Sequence, residues 1–280
     1  MIDPARANEL ERLLRRHKIT LKQRLGQNFL VDPGLRDAIA EEAAATLDGV
    51  LEVGAGVGTL TIALAARAPR VVAVEFDRDL IPALHEVTDA CGNVKVVEAD
   101  ILRFDVGGPF PAGGEVVAGN IPYNLTGALI PKLLQTAPRP RRLGLVVQKE
   151  VAERWTAKTA ASLATIGVQV FAQARILMTI PASAFTPAPK VDSALVVLEV
   201  RPEPAVEVPD MQGFFRFVES VFQFRRKQLG GTVARIAAIS SAEAQKRLAE
   251  IGIDAAARPQ TLTLDQWEAV YMAVNPSSDR

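Results

Sequence analysis

The sequence predicts an α/β protein: a doubly wound domain on a mainly parallel sheet, followed by a small all-helical domain. Three observations lead there. Short β-branched apolar runs alternate with helix-length amphipathic segments across residues 50–147. A glycine cluster follows the first of these runs directly. Strand periodicity stops near residue 205, and helical spacing replaces it.

Taken in order, Asp32 and Pro33 form an N-cap and first-turn proline that start a helix through Leu35, Ile39 and Ala43. Strands are expected at 50–53, 71–75, 94–98, 115–118 and 143–147. Segments 175–180 and 191–200 read as two more. The loop between them, PASAFTPAPK, is too short for a crossover helix, so an antiparallel pair at the sheet edge is expected. Residues 201–209 hold three prolines and alternating acids, a stiff connector. Beyond it Phe214, Phe217, Val218, Val221 and Phe222 share a helical face, and segments 245–251 and 264–272 keep that spacing.

A chain of 280 residues, about half of them apolar, can bury a sizeable core. Its apolar runs are too short to cross a bilayer, and MIDPARANELERLLRRHK lacks an apolar signal region, so a soluble cytoplasmic protein is expected. Cys91 is the only cysteine, and His17 and His85 are the only histidines. That excludes an internal disulfide, a Cys/His zinc site and a Cys/His nucleophile pair within one chain, and no metal is expected. Formal net charge is zero, which argues against a nonspecific polyanion binder. Basic residues nevertheless gather in three groups: Arg12, Arg15, Arg16, Lys18, Lys22 and Arg24; Arg139, Arg141 and Arg142; and Arg225, Arg226 and Lys227. Each is ordinarily a solvated face. Together they form a phosphate-contacting surface if the fold brings them to one side.

The stretch LEVGAGVGTLT puts Gly54, Gly56 and Gly58 directly after the first strand of the alternating series. Glycines there let backbone approach a ligand closely. Thr59 stands where a dinucleotide fingerprint has its third glycine, so the spacing departs from that form. Acids close the next two strands: Glu75 ends VVAVE, and Asp100 ends VKVVEAD. A carboxylate in the first place accepts hydrogen bonds from ribose hydroxyls, and one in the second accepts from an adenine amino group. An isolated acid of this kind more often caps a helix, as Asp77 or Asp79 can here. Three coordinated features after three successive strands resemble the Rossmann-like S-adenosylmethionine methyltransferases.

After the next strand comes GNIPYNLTG, containing Asn120, Pro122 and Tyr123. An aromatic amine is a poor nucleophile because its lone pair is delocalised. An Asn oxygen and a backbone carbonyl fixed by proline can accept its two hydrogens and aim its nitrogen, while a tyrosine stacks on the base. The plain alternative is a turn capped by Asn124. Asn-Ile-Pro-Tyr resembles the acceptor motif of amino-group N-methyltransferases.

Four further segments, RLGQNFLVD (24–32), VQKEVAERW (147–155), AFTPAPKVDSALV (184–196) and FRRKQL (224–229), complete a resemblance to the ribosomal RNA adenine dimethyltransferase family. It spans residues 17–272. The resemblance implies a Rossmann-like, seven-stranded methyltransferase sheet in a catalytic domain over 1–205, with residues 1–32 as a basic extension, and a helical RNA- or ribosome-contacting domain over 206–280. It implies S-adenosylmethionine held by Gln27, Asn28, Leu30, Gly54, Gly56, Glu75, Asp100 and Asn120. Asn120 and the Pro122 backbone then hold the target amine, Tyr123 stacks on one face of the adenine, and Phe185 covers the other. Phe185 otherwise reads as a core residue, but its proline-bounded loop favours an exposed aromatic with a ligand. Arg141, Arg142, Arg225, Arg226 and Lys227 are the candidate RNA contacts.

The implied reaction is N6,N6-dimethylation of two adjacent adenines in the terminal hairpin of small-subunit (16S) ribosomal RNA, within an assembling 30S-type particle, by a monomeric enzyme. Two departures from the family pattern stand out. TAKTAASLATIG replaces a Pro-Gly-Ser-x-x-Tyr-Gly stretch, and Gly230, Gly231 and Thr232 replace an Asn-rich continuation. The nearest rival is a large-subunit ribosomal RNA adenine methyltransferase of antibiotic-resistance type, disfavoured by FRRKQL and ARPQTLTLDQW. A non-catalytic assembly or transcription factor on the same scaffold is disfavoured by Glu75, Asp100 and Asn120. A nicotinamide oxidoreductase is disfavoured by the glycine spacing.

Overall fold

The structure, a computed structural model, describes residues 2–22, 25–43, 49–110, 115–135 and 137–275. Arg24 of the N-terminal basic group lies outside the described residues. The chain divides into two compact units, Met1–Glu153 with Gln173–Val200, and Arg154–Ala172 with Arg201–Arg280.

The first unit opens with α1 (Ala7–Arg16), β1 (Phe29–Leu30) and α2 (Pro33–Ala43). Alternation follows: β2 (Val50–Val53), α3 (Thr59–Ala65), β3 (Val71–Glu75), α4 (Ile81–Thr88), β4 (Val94–Glu98), β5 (Val116–Asn120), α5 (Thr126–Gln135) and β6 (Arg142–Gln148). Helix α6 (Lys149–Thr156) carries the chain into the second unit, where α7 (Leu163–Phe171) lies, and β7 (Ala172–Ile180), β8 (Phe185–Thr186) and β9 (Ser193–Val200) return it to the first. The sequence-level cap of α2 is present: the Asp32 carboxylate accepts the Leu35 N–H at 2.9 Å.

Seven strands form one sheet in the order β4-β3-β2-β5-β6-β9-β7. β2 pairs in parallel with β3 and β5, β3 with β4, and β5 with β6, while β9 runs antiparallel to β6. Because β5 returns to the far side of β2, the strand order reverses between them. That reversal opens a crevice at the carboxyl ends of the strands.

Burial explains where each strand goes. β2, β3 and β9 are mainly apolar runs, buried at nearly every position, as interior strands covered on both faces must be. β7, AQARILMTI, keeps exposed residues at alternating positions and takes the edge. The expected edge pair is thereby refined: the more apolar β9 inserts between β6 and β7. A second, two-stranded ladder joins β1 to β8, with Phe29 opposite Thr186 and Leu30 opposite Phe185. Two residues carry no periodicity, so pattern alone does not reveal this ladder.

The second unit contains α8 (Met211–Phe222), α9 (Leu229–Ile236), α10 (Ser241–Glu250) and α11 (Leu264–Val274). Its core is aromatic. Trp267 and Phe214 are fully buried, the Phe214 and Tyr271 rings meet edge to face at 5.5 Å, and Phe222 lies 5.3 Å from Trp267. A reciprocal Thr263–Gln266 capping box starts α11. The unit differs from the expected division at residue 205 by also taking Arg154–Ala172. Helix α7 is apolar nearly all round and buries against α8, with Phe171 stacked on Phe215 at 5.8 Å. The two departures noted above are both housed here. TAKTAASLATIG leads into α7 with Ser162 as N-cap, and Gly230 lets α9 start close to Ala255, whose Cβ stands 2.9 Å from where a Gly230 Cβ would lie.

Among the described residues no helix is long and apolar enough to cross a membrane, and no cluster of His, Cys, Asp and Glu is arranged to hold a metal ion.

Close packing of α2 on the sheet rests on Gly144 in β6, where an added Cβ would stand 2.6 Å from the Ala43 Cβ. Gly144→Ala is therefore expected to cost about 1–3 kcal/mol of stability. Gly127→Ala in α5, where an added Cβ meets nothing within 4 Å, should be neutral or gain up to about 1 kcal/mol. Urea unfolding of both variants checks this.

Candidate active site

A cavity of about 300 Å³ occupies the crevice between β2 and β5. Gln27, Asn28, Leu30, Gly54, Gly56, Glu75, Asp100, Asn120, Pro122, Tyr123 and Phe185 all line it. Four of the six converging parts of the chain follow the parallel strands β2 to β5, which all end at that edge, and the β1–β8 ladder supplies the other two.

The turn after β2 sets the floor. Gly54 and Gly56 have φ of +71° and +61°, a region that a side chain strongly disfavours, and an added Cβ at Gly56 would come within 3.1 Å of the Phe29 ring. The turn is tied to the next strand: Gly54 N–H donates to the Val74 carbonyl at 2.9 Å, and Gly56 N–H donates to Glu75 Oε2 at 2.7 Å. Glu75 Oε1 accepts the Asp77 N–H at 2.7 Å. Burial pushes the Glu75 carboxyl above its ordinary range, opposed by the N–H groups of Asp77, Gly56 and Phe76. The carboxylate keeps acceptor capacity beyond these bonds for a ligand.

The N-terminal segment is fastened over this edge. Gln27 accepts the Lys22 N–H at 2.7 Å and donates to Asp77 at 2.7 Å, and Lys22 Nζ reaches Asp77 and Asp79 at 2.5 and 2.6 Å. The Gln27 amide is therefore occupied in holding its own segment. Burial raises the Asp77 carboxyl, but the bonds from Lys22, Gln27 and the Asp79 N–H outweigh it and hold the group below its usual range. Asn28 follows, and its carbonyl accepts from Asn120 Nδ2 at 2.9 Å. That bond uses one of the two Asn120 N–H donors and fixes which way the amide faces, and its oxygen is the acceptor that the side chain can offer. The Pro122 carbonyl accepts the Leu125 N–H at 2.9 Å, which fixes the turn and leaves one lone pair. Tyr123 is half-buried with its hydroxyl 2.9 Å from Ser193 Oγ, and burial raises the phenol further above neutrality.

Asp100 also serves its own loop: its Oδ1 accepts the Leu102 N–H at 3.0 Å. Phe185 corrects the expectation of an exposed aromatic. It is only 3% exposed, because pairing of β8 with β1 places it in the core beside Leu30, and it meets the cavity as part of a buried wall.

The basic groups fare unequally. Arg15 pairs with Glu11, Arg16 with Glu86, and Lys22 with Asp77 and Asp79. Arg142 lies directly opposite Glu199 across β6 and β9, is half-buried and pairs with it at 3.3 Å, so its charge is spent within the sheet. That corrects its reading as a free phosphate contact. Arg141 is exposed, as are Arg225, Arg226 and Lys227 between α8 and α9.

Four cavity or supporting residues were missed in the sequence. Phe76, 61% exposed directly after Glu75, offers an apolar face. Ser193 anchors Tyr123. Glu52, an acid inside the apolar run LEV, is 1% exposed, and Thr59 is 6% exposed; both line the cavity, and Glu52 Oε2 and Thr59 Oγ1 have no hydrogen-bond partner among the described residues. An acid in a buried strand was the available signal.

A switch-point cavity with a glycine turn, strand-end acids and an Asn-Ile-Pro-Tyr loop defines a Rossmann-like, S-adenosylmethionine-dependent methyltransferase. The profile of the family described as ribosomal RNA adenine dimethylase matches residues 18–275. The chain is 38% identical over 285 residues to the ribosomal RNA small subunit methyltransferase A of Pelotomaculum thermopropionicum, covering 96% of this chain and 97% of that one. It is 37% identical over 271 residues to the protein of the same name from Shouchella clausii, covering 93% and 90%. Among solved structures, the 23S rRNA methyltransferase ErmE superposes with a TM-score of 0.69 at 28% identity, over 89% of this chain and all of that one. A dimethyladenosine transferase from Plasmodium falciparum shares the fold, with a TM-score of 0.68 at 23% identity over 86% of this chain and 95% of that one. The chain belongs to the ribosomal RNA adenine dimethylase family, enzymes that dimethylate adenine in ribosomal RNA.

Burial pushes Glu52 up to about 8, with the Thr61 hydroxyl opposing and the Glu75 charge adding. Between the ordinary value of 4.5 and about 8 the folded protein keeps a proton that the unfolded chain has shed, so stability falls as pH rises through that window. Glu75 shifts in the same direction, so Glu52→Gln should flatten the slope without removing it. Urea unfolding at pH 5.5 and 8 should show the variant gaining on the wild type at the higher pH; a pH-independent difference counts against a protonated Glu52.

Proposed function

We propose that this enzyme dimethylates N6 of two adjacent adenines in the terminal hairpin of small-subunit ribosomal RNA, acting as a cytoplasmic monomer on an assembling small-subunit particle. The observation that carries the reading is the placement of Asn120, Pro122 and Tyr123 on the same cavity as Gly54, Glu75 and Asp100. The small-subunit substrate is supported by the names of relatives that match along nearly the whole chain.

In this reading Glu75 accepts from the ribose of S-adenosylmethionine with its remaining acceptor capacity. Asp100 accepts from the purine amino group, and Phe76 lies against the ring. Gly54 and Gly56 admit the ligand to the backbone, and Gln27, Asn28 and Leu30 form the covering wall. The cofactor, when bound, supplies a methyl group on a positively charged sulfur. Asn120 Oδ1 and the Pro122 carbonyl accept the two hydrogens of the adenine amine, directing its lone pair, while Tyr123 stacks on the base and Phe185 supplies the fixed wall. Once alkylated, the nitrogen sheds its proton to water, so no side-chain base of matched pKa is needed. Arg141, Arg225, Arg226 and Lys227 contact phosphates of the RNA.

Asn120→Ala should lower methyl transfer by about 10²-fold or more while changing S-adenosylmethionine affinity only several-fold. Single-turnover methylation and calorimetry separate the two, and near-normal transfer would refute the role. Mass spectrometry of nucleosides, mapped on both ribosomal RNAs after incubation with precursor small subunits and labelled cofactor, should find N6,N6-dimethyladenine in the small-subunit hairpin; methylation of large-subunit RNA instead would overturn the substrate assignment.

A further inference from the structure

Between Phe185 and Ser193 the chain reads TPAPKVD. Phe185 lines the cavity, and Ser193 Oγ lies 2.9 Å from the Tyr123 hydroxyl, so this short strap runs between the two aromatic residues that flank the acceptor base in the reading above, on which this inference rests. Pro187 and Pro189 fix φ at two of its positions. Its carboxyl end is tied down twice: the Asp192 carboxylate accepts the Ala182 N–H at 3.0 Å, and the Asp192 carbonyl accepts the Lys149 N–H at 3.0 Å. The one acid on the strap is thus engaged by the protein's own backbone.

Lys190 and Val191 are exposed on this strap, and Lys149 is exposed beside it at the start of α6. Neither lysine has an ion pair among the described residues. Arg141, the exposed cation of the second basic group, precedes β6 whereas Lys149 follows it, so roughly 20 Å of strand holds Arg141 away from the acceptor edge. Val191 is 47% exposed. Among the described residues only two other large apolar side chains are exposed, Phe76 and Leu102, and both follow strands of the nucleoside half, β3 and β4. A lone exposed valine needs no explanation. One held on a fastened strap at the lip of a base pocket, beside two unpaired cations, has the makings of a contact.

The chemistry of the partner follows from that combination. An adenine drawn out of its stack into the pocket leaves the adjoining base with one face uncovered, and brings its flanking phosphates to the rim. An uncovered base face is met by an apolar side chain, and phosphates are met by cations. We propose that Val191 packs against the base next to the target adenine, and that Lys190 and Lys149 hold the phosphates on either side of the target nucleotide. With two adjacent adenines as substrate, the base on Val191 is the second adenine while the first is methylated. A purine offers the larger face, so this lip selects a purine neighbour.

Single-turnover methylation by the full chain tests this on precursor small subunits whose terminal hairpin carries either the adenine pair or one adenine with uracil as its 5′ or 3′ neighbour. The wild type should slow about fivefold with uracil on one of the two sides. Val191→Ser should lose about fivefold on the adenine pair and nothing further on that uracil form, with S-adenosylmethionine affinity and urea unfolding unchanged, and Val191→Leu should keep the wild-type rate. Lys190→Ala and Lys149→Ala should each weaken binding of the particle and reduce the slope of log affinity against log salt by about 0.7. A wild-type rate for Val191→Ser, or losses that add with the uracil replacement, would overturn the apolar contact, and unchanged salt slopes would overturn the phosphate contacts. A wild type that methylates no small-subunit RNA would overturn the functional reading beneath them.

Discussion

The return of β5 to the free side of β2 is the constraint on which the rest of this molecule depends. Parallel strands all end at one edge, but only where neighbours leave in opposite directions does that edge open into a crevice. The glycine turn after β2 and the Asn120 loop after β5 form its two banks. A sheet alone leaves the crevice shallow. The segment around Asn28 closes it, held through the Asn120 amide across 92 residues of sequence and through the Lys22, Gln27 and Asp77 cluster.

Charge inside the unit is handled in two ways. Asp77 stays ionised because a lysine, an amide and a backbone N–H all point at it. Glu52 has no such company and keeps its proton. The contrast follows from how many donors face each carboxyl rather than from burial alone, since both are nearly inaccessible. The first arrangement builds a fixed clasp, and the second leaves a group whose charge depends on what lies beside it.

The repeating part of the fold was legible, and the exceptions have physical causes. Runs such as VLEV, VVAVE and VKVVE became β2, β3 and β4 at the bounds expected, because β-branched residues flanked by turns have few other uses. LATIGVQVF went unassigned because a helix buried on all sides shows no amphipathic period, and with it went the true extent of the helical unit. Arg142 read as part of a basic run because its partner Glu199 lies far along the chain and is fixed only by strand register. Phe185 looked exposed because a two-residue ladder is invisible to pattern. At the site, motif residues were found where their chemistry was written in the sequence. Glu52, Thr59 and Ser193 were not, because nothing local distinguishes them from ordinary strand and cap residues.

The two backbone bonds to Glu75 also limit what that position can become. Glutamine has the shape of glutamate, yet one end of its amide is a donor. Rotated either way, it would turn that donor toward the N–H of Gly56 or of Asp77, so a proton would face a proton where the acid presents an oxygen. Loss of a single acceptor would thus slacken the glycine turn and the start of the following loop together. The locus tolerates an anion for reasons of architecture, before any nucleoside arrives.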